Sequence, residues 1–213
     1  MIIVCLLQKR CYKMSKETRE LANSKAAIFD FDGTLLNTNL WKQYEYLFRN
    51  PQRGTKEWMQ GRKMYLDHVK DCPQWEGMKE VLDYIRKHGI RTAIVTANTK
   101  DRVLTAIEAF GWQDVFNMNH IIGCYALGRK RASKDNGDSS LFIKALDVLQ
   151  ANPENCIAFG NEVNDTIAAQ RIGIPAYNCL WGAEGKDREI MLDELADITL
   201  EMPLDIITAL ESC

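Results

Sequence analysis

The chain has 213 residues, 46% of them hydrophobic and 26% charged, with a formal net charge of -2. That is enough for one α/β core with a small appendage, and so weak a charge gives no electrostatic reason to expect nucleic acid or a membrane surface as partner; a small molecule is expected. Seven cysteines, at positions 5, 11, 72, 124, 156, 179 and 213, are scattered, odd in number and without a Cys-x-x-Cys pair, which favours reduced thiols in a cytoplasmic protein over disulfides or a zinc site.

The chain opens on an apolar run, Met1 to Leu7. It is far shorter than the roughly 20 residues that span a bilayer, and its basic residues follow it, the reverse of a signal peptide. Residues 1–23 are read as an N-terminal extension: a disordered tail, an added strand, or sequence upstream of a start at Met14.

A short apolar strand is expected at 26–29, and it runs directly into Asp30-Phe31-Asp32-Gly33-Thr34-Leu35. Residues i and i+2 of a strand point to the same side, so Asp30 and Asp32 share one pocket where the backbone loosens at Gly33. Two adjacent carboxylates repel, and a hard, oxygen-seeking ion such as Mg2+ is the usual means of holding both ionised. The pattern predicts a metal-assisted site with one Asp free to attack and the other to move protons.

Residues 39–71 interrupt the alternation of strands and helices with two consecutive helical stretches, split by Pro51 and Gly54. This is the pattern of an inserted helical cap. Its Trp41, Tyr44, Trp58, Arg62, Lys63 and Tyr65 are candidates to bind substrate, although each also has the simpler role of packing one helix on the other.

Met78, Val81, Leu82 and Ile85 follow at helical spacing, then a strand at 92–96 ends in Thr96-Ala97-Asn98. The Thr96 hydroxyl and the backbone N–H groups after it, at Ala97 and Asn98, suit a phosphoryl oxygen; strand-end threonines also cap helices. Val103, Ile107 and Phe110 trace a further helical stripe, and a charged run from Arg129 to Asp138 precedes the stripe of Phe142, Ala145, Leu146 and Leu149. Chemistry at a crowded anionic pocket favours one buried ammonium from that run, and composition does not separate Lys130 from Lys134.

A strand at 156–159 delivers Gly160-Asn161-Glu162-Val163-Asn164-Asp165, and a last one is expected at 176–180. Asn161, Glu162 and Asp165 form a second acidic cluster of the kind that completes the oxygen shell of a divalent ion. An acidic helix start, favoured by the macrodipole, is the alternative for Glu162.

These four segments, in this order, resemble the motifs of the haloacid dehalogenase-like hydrolases, over the chain from Ala26 onward. Leu180-Trp181-Gly182 and Ala196 to Leu200 are similar to the phosphoglycolate phosphatase-like branch with a small helical cap. The resemblance implies an α/β, Rossmann-like parallel sheet with helices on both faces: a core of 24–38 and 72–213, with 39–71 as the cap. It implies a phosphomonoester hydrolase of a small phosphorylated metabolite, in which Asp30 attacks phosphorus to form an aspartyl-phosphate. Asp32 then protonates the leaving group and activates water, and Thr96 and Lys134 bind the phosphoryl group. Mg2+ would be held by the Asp30 carboxylate, the Asp32 backbone carbonyl, Asn161 and Asp165. The same phosphoaspartate would serve a phosphosugar mutase, and a member without catalysis would only bind a phosphorylated ligand or a protein. Two departures stand out. Gly160-Asn161 replaces the usual Gly-Asp, and the lysine segment lacks the usual Lys-Pro-x-Pro and is longer before its helix. Nothing in the sequence speaks to oligomeric state.

Overall fold

The structure is a computed structural model that describes residues 25–38, 51–128, 132 and 134–212. The N-terminal extension, the first half of the cap with Trp41 and Tyr44, and Lys130 lie outside the described residues.

Six strands, β1 (Ala26–Phe29), β2 (Arg91–Val95), β3 (Ile121–Ile122), β4 (Cys156–Gly160), β5 (Ala176–Cys179) and β6 (Thr199–Leu200), pair in the order β3-β2-β1-β4-β5-β6. Every pairing is parallel. The four expected strands end within a residue of their predicted limits, whereas β3 and β6, two residues each, were not expected. Parallel strands need crossovers, and the helices that make them cover both faces. In chain order these are α1 (Lys56–Asp67), α2 (Met78–Lys87), α3 (Lys100–Phe110), α4 (Ser140–Leu149), α5 (Val163–Gln170), α6 (Gly185–Asp193) and α7 (Asp205–Ser212).

The period of two along β1 divides the interior. Ala27, Phe29 and Phe31 face a cluster built with Val81, Leu82 and Ile85 of α2, Val103 and Ile107 of α3, and Ile206 and Leu210 of α7. Ala26 and Ile28 face the other, with Leu141, Phe142, Ala145 and Leu149 of α4 and Ala168 and Ala169 of α5. The predicted stripes are therefore core. Cys72, Cys156 and Cys179 are buried free thiols, and Cys124 is buried as well. Among the described residues no helix is long and apolar enough to cross a membrane.

The strand order reverses at β1, which pairs with β2 on one side and β4 on the other. In an open α/β sheet, the crevice beyond the carboxyl ends of the strands at such a reversal is where ligands bind, because the loops there run to opposite faces and part. Asp30 and Asp32 follow β1, Thr96 follows β2 and Asn161 follows β4, so topology alone gathers them. Between β1 and α2 stands the described half of the expected cap: α1, whose N-cap Thr55 accepts a hydrogen bond from Trp58 N at 3.2 Å, and a 3-10 turn at His68–Asp71.

Candidate active site

The Asp30 amide donates to the Phe159 carbonyl at 2.8 Å, so the β1–β4 ladder runs one residue past β1 and fixes the Asp30 backbone. The chain then turns sharply. Gly33 has φ +88°, and a Cβ there would lie 2.5 Å from Asn161 Nδ2, so both the conformation and the space require glycine. A 3-10 turn at Leu180–Gly182 clamps this loop: Trp181 Nε1 donates to the Thr34 carbonyl at 3.0 Å, and Asn161 Nδ2 donates to the Gly182 carbonyl at 3.0 Å. Thr34 Oγ1 donates to Asn161 Oδ1 at 3.0 Å. Because a carbonyl accepts only, the Gly182 contact fixes which end of the amide points where.

Asp30, Lys134 and Asp165 form a buried cluster. Lys134 Nζ lies 2.5 Å from Asp30 Oδ1 and pairs as well with Asp165 Oδ1. The ammonium expected from the charged run is therefore Lys134 among the described residues. The family's prolines are missing from its loop, and other bonds do their work. Arg171 Nη1 of the segment after α5 donates to the carbonyls of Asn136 and Gly137 at 2.6 and 2.7 Å, and Ser139 Oγ donates to the Ala168 carbonyl at 2.6 Å. Asp165 reaches Lys134 because residue 160 is glycine: a Cβ there would lie 2.3 Å from Asp165 Oδ2. Glu162 is exposed and forms a reciprocal capping box with Asp165 at the start of α5.

Two carboxylates share one ammonium here, and the electrostatics record the imbalance. Burial pushes the Asp30 carboxyl up to about 8; Lys134 draws it down, and Asp165 and Glu162 add to the rise. Burial works against the Lys134 ammonium, but Asp165 and Asp30 outweigh it and hold its pKa above the ordinary value.

Asp32 belongs to a different set of partners. Arg102 Nη2 and Nε donate to Asp32 Oδ1 at 3.0 and 3.2 Å, and Asn98 Nδ2 donates to Asp32 Oδ2 at 2.5 Å. The Asn98 amide N–H, expected to serve a phosphoryl oxygen, donates to Thr96 Oγ1 at 3.0 Å, which leaves the Thr96 hydroxyl proton to donate at that strand end. Sequence reasoning passed over Arg102, which reads as one more charge in Lys100-Asp101-Arg102. The available signal was its place one residue before Val103 and four before Ala106, on the face that α3 buries.

Beyond Asn98 opens a cavity of about 880 Å³ between α1 and the core, lined by Trp58, Arg62, Tyr65, Ala97, Lys100 and Tyr125 among others. Three of the four described cap candidates, Trp58, Arg62 and Tyr65, thus face it, and Arg62 is held there by a salt bridge to Asp101.

The haloacid dehalogenase-like hydrolase family model matches residues 40–178. A phosphoglycolate phosphatase of Synechococcus elongatus is 23% identical over 87% of this chain and 96% of its own, and the pyrophosphatase PpaX of Halalkalibacterium halodurans is 22% identical over 75% and 85%. In fold, the chain resembles a haloacid dehalogenase family hydrolase of Deinococcus radiodurans solved with bound phosphate and sodium, at TM-score 0.63 and 19% identity, over 90% of this chain and 96% of that one.

Proposed function

Because the chain belongs to the haloacid dehalogenase-like hydrolase family and is a phosphatase of its phosphoglycolate phosphatase-like branch, we propose a Mg2+-dependent phosphomonoesterase that works through an aspartyl-phosphate. The observation that carries this reading is the Asp30–Lys134–Asp165 cluster at the β1/β4 reversal, with Asp32 beside it on its own partners. Two carboxylates on one loop, given different surroundings, can take different roles.

Asp30, fixed through its backbone and its Lys134 contact, is the nucleophile. Its carboxylate oxygen forms a bond to phosphorus as the bond to the leaving oxygen breaks, and Asp32 delivers a proton to that oxygen. In the second half, the Asp32 carboxylate takes a proton from water, which attacks the phosphoaspartate and returns Asp30 with release of phosphate. Lys134 stays ionised and offsets the charge of the phosphoryl oxygens, with the Thr96 hydroxyl as a further donor.

The residues present fit a divalent ion. The donors are hard oxygens, of the Asp30 carboxylate, the Asp32 carbonyl, Asn161 and Asp165, and the cluster holds one more carboxylate than ammonium. No group of three acidic, His or Cys residues gathers among the described residues, so carbonyl and amide oxygens and water must complete the shell. When bound, Mg2+ would neutralise charge between nucleophile and phosphoryl group.

Segment 39–71 serves as the cap over a core of 24–38 and 72–213. The leaving group of a small phosphorylated metabolite lies in the cavity under α1, where Arg53, Arg62, Lys100 and Lys144 favour an anionic one. Phosphate release from phosphoglycolate, pyrophosphate, sugar phosphates, nucleotides and an aryl phosphate, with Mg2+ or EDTA and an Asp30→Asn control, tests the proposal. Release that requires both Mg2+ and Asp30 is expected; interconversion of sugar phosphates without net phosphate release would indicate a mutase, and no Asp30-dependent turnover a binding protein.

A further inference from the structure

Arg102 is the bulkiest fully buried side chain among the described residues, on a helix face otherwise built from Val103, Ala106 and Ile107. Burying a guanidinium is costly unless its donors are satisfied, and an apolar residue of similar size packs such a position at less cost. The donors are satisfied in a particular way. Nε and Nη2 both reach Asp32 Oδ1, at 3.2 and 3.0 Å. Nη1 donates to the backbone carbonyl of Tyr65, in α1, at 3.1 Å, and the guanidinium carbon lies 3.9 Å from the centroid of the Tyr65 ring.

The second oxygen of Asp32 is held from the same place. Asn98 Nδ2 donates to Oδ2 at 2.5 Å, and Asn98 Oδ1 accepts from the Tyr65 hydroxyl at 3.2 Å. Each Asp32 oxygen is thus tied to Tyr65 through one intermediary, Arg102 for Oδ1 and Asn98 for Oδ2, which closes a ring of four residues. Tyr65 is the one member that belongs to the expected cap.

We propose that Arg102 is a positioning residue that couples the seating of α1 to the placement of Asp32, so that the carboxylate is set for proton transfer when the cap is seated. The inference rests on the phosphatase reading for the role of Asp32, but its mechanical half, the hold of Arg102 on α1, stands on geometry alone. Lysine would keep the charge and lose the fork that serves Asp32 and Tyr65 together.

The test is Arg102→Lys assayed on two esters, with hydrogen exchange along the chain. An alkyl phosphate needs a proton donor for its leaving group; 4-nitrophenyl phosphate needs one far less. General acid–base catalysis contributes on the order of 10²–10⁴, so kcat/KM for the alkyl ester, which reports the steps through phosphoenzyme formation, should fall about 30-fold further than kcat/KM for the aryl ester, with the amides of α1 exchanging faster while those of β1 and β4 stay protected. Tyr65→Phe, which removes only the bond to Asn98, should shift the ester ratio the same way by at most about 5-fold, since one neutral hydrogen bond is worth about 1 kcal/mol, and it carries the test if Arg102→Lys does not fold. Equal losses of kcat/KM on both esters, or unchanged exchange in α1, overturn the coupling. A wild-type protein that releases no phosphate from either ester overturns the phosphatase reading and with it the catalytic half of this one; the exchange experiment still decides the mechanical half.

Discussion

Asp30 and Asp32 leave the same strand two residues apart, yet their surroundings have almost nothing in common. Asp30 is buried against Lys134, from a loop, and Asp165, from the first turn of α5, both at the sheet's own carboxyl edge. The Asp32 side chain is 23% exposed and is held by α3 and, through it, by α1. The core alone sets the first environment, so the proposed nucleophile is placed without any contact from α1. The second depends on α1, which stands between β1 and α2, so under the proposed mechanism proton transfer is the half of the reaction that depends on how α1 is seated.

The sharpest way to break this contrast is to remove each carboxylate in turn. Asp30→Asn should abolish phosphate release from every ester, by at least about 10³-fold, because no other group can form the covalent bond. Asp32→Asn should discriminate instead, losing alkyl ester turnover by about 10²–10⁴ while the aryl ester loses less. Steady-state kinetics on both esters decides it. If the two substitutions give the same pattern, the division of labour between the two pockets is wrong.

Lys134→Ala probes whether the Asp30 pocket really is sealed. It leaves two buried carboxylates without their shared ammonium, and breaking a buried ion pair by removing one partner costs about 3–5 kcal/mol. Urea unfolding in EDTA should show that loss, with part of it recovered in Mg2+. A loss within about 1 kcal/mol, the range of exposed pairs, would mean that solvent reaches the cluster.

The contrast also explains why one pocket is legible in the amino-acid sequence and the other is not. Asp30, Thr96, Lys134, Asn161 and Asp165 sit within a few residues of strand ends or helix starts, and short apolar strands closed by polar residues are visible in one dimension; parallel order then brings them together. The Asp32 pocket draws on Arg102, inside α3, and on Tyr65, in an insertion whose docking angle no local pattern encodes. The strands β3 and β6 escape notice for a related reason. Ile121–Ile122 and Thr199–Leu200 are too short to show a period, and only pairing with β2 and β5 makes them strands.

The burial of Asp30 gives a pH signature. Its pKa rises from 3.8 to about 8 on folding, chiefly through burial, so between those values the folded state holds a proton that the unfolded state has released. Stability from this group is therefore full below pH 3.8, falls as pH rises through that interval, and is flat above about 8. In EDTA, the urea midpoint of the wild-type protein should decline from pH 5 to pH 8 more steeply than that of Asp30→Asn, and Mg2+ should narrow the gap. Parallel profiles would show that burial does not raise the Asp30 carboxyl.

Asn161 is where the two considerations of charge and packing oppose each other. Its amide is not an idle stand-in for a carboxylate: Nδ2 donates to the Gly182 carbonyl and Oδ1 accepts from Thr34, so the residue stitches the β4 loop to the turn that clamps the loop after β1. Asp at this position adds a negative charge to a cluster that already has one carboxylate too many, and it sets a carboxylate oxygen against the Gly182 carbonyl, where no donor remains. The second effect alone should cost about 1–3 kcal/mol in EDTA, the penalty for an unsatisfied buried acceptor. The first should lower the Mg2+ concentration needed for half-maximal activity, since a charged ligand replaces a neutral one. Asn161→Asp is thus expected to be less stable than the wild type without metal and to need less metal to work. Unfolding in EDTA and a Mg2+ titration of activity read the two effects separately. A lower Mg2+ requirement with no loss of stability would mean that the turn at 180–182 yields to the new charge, while an unchanged or raised requirement would remove Asn161 from the metal shell and leave it only the structural bond to Gly182.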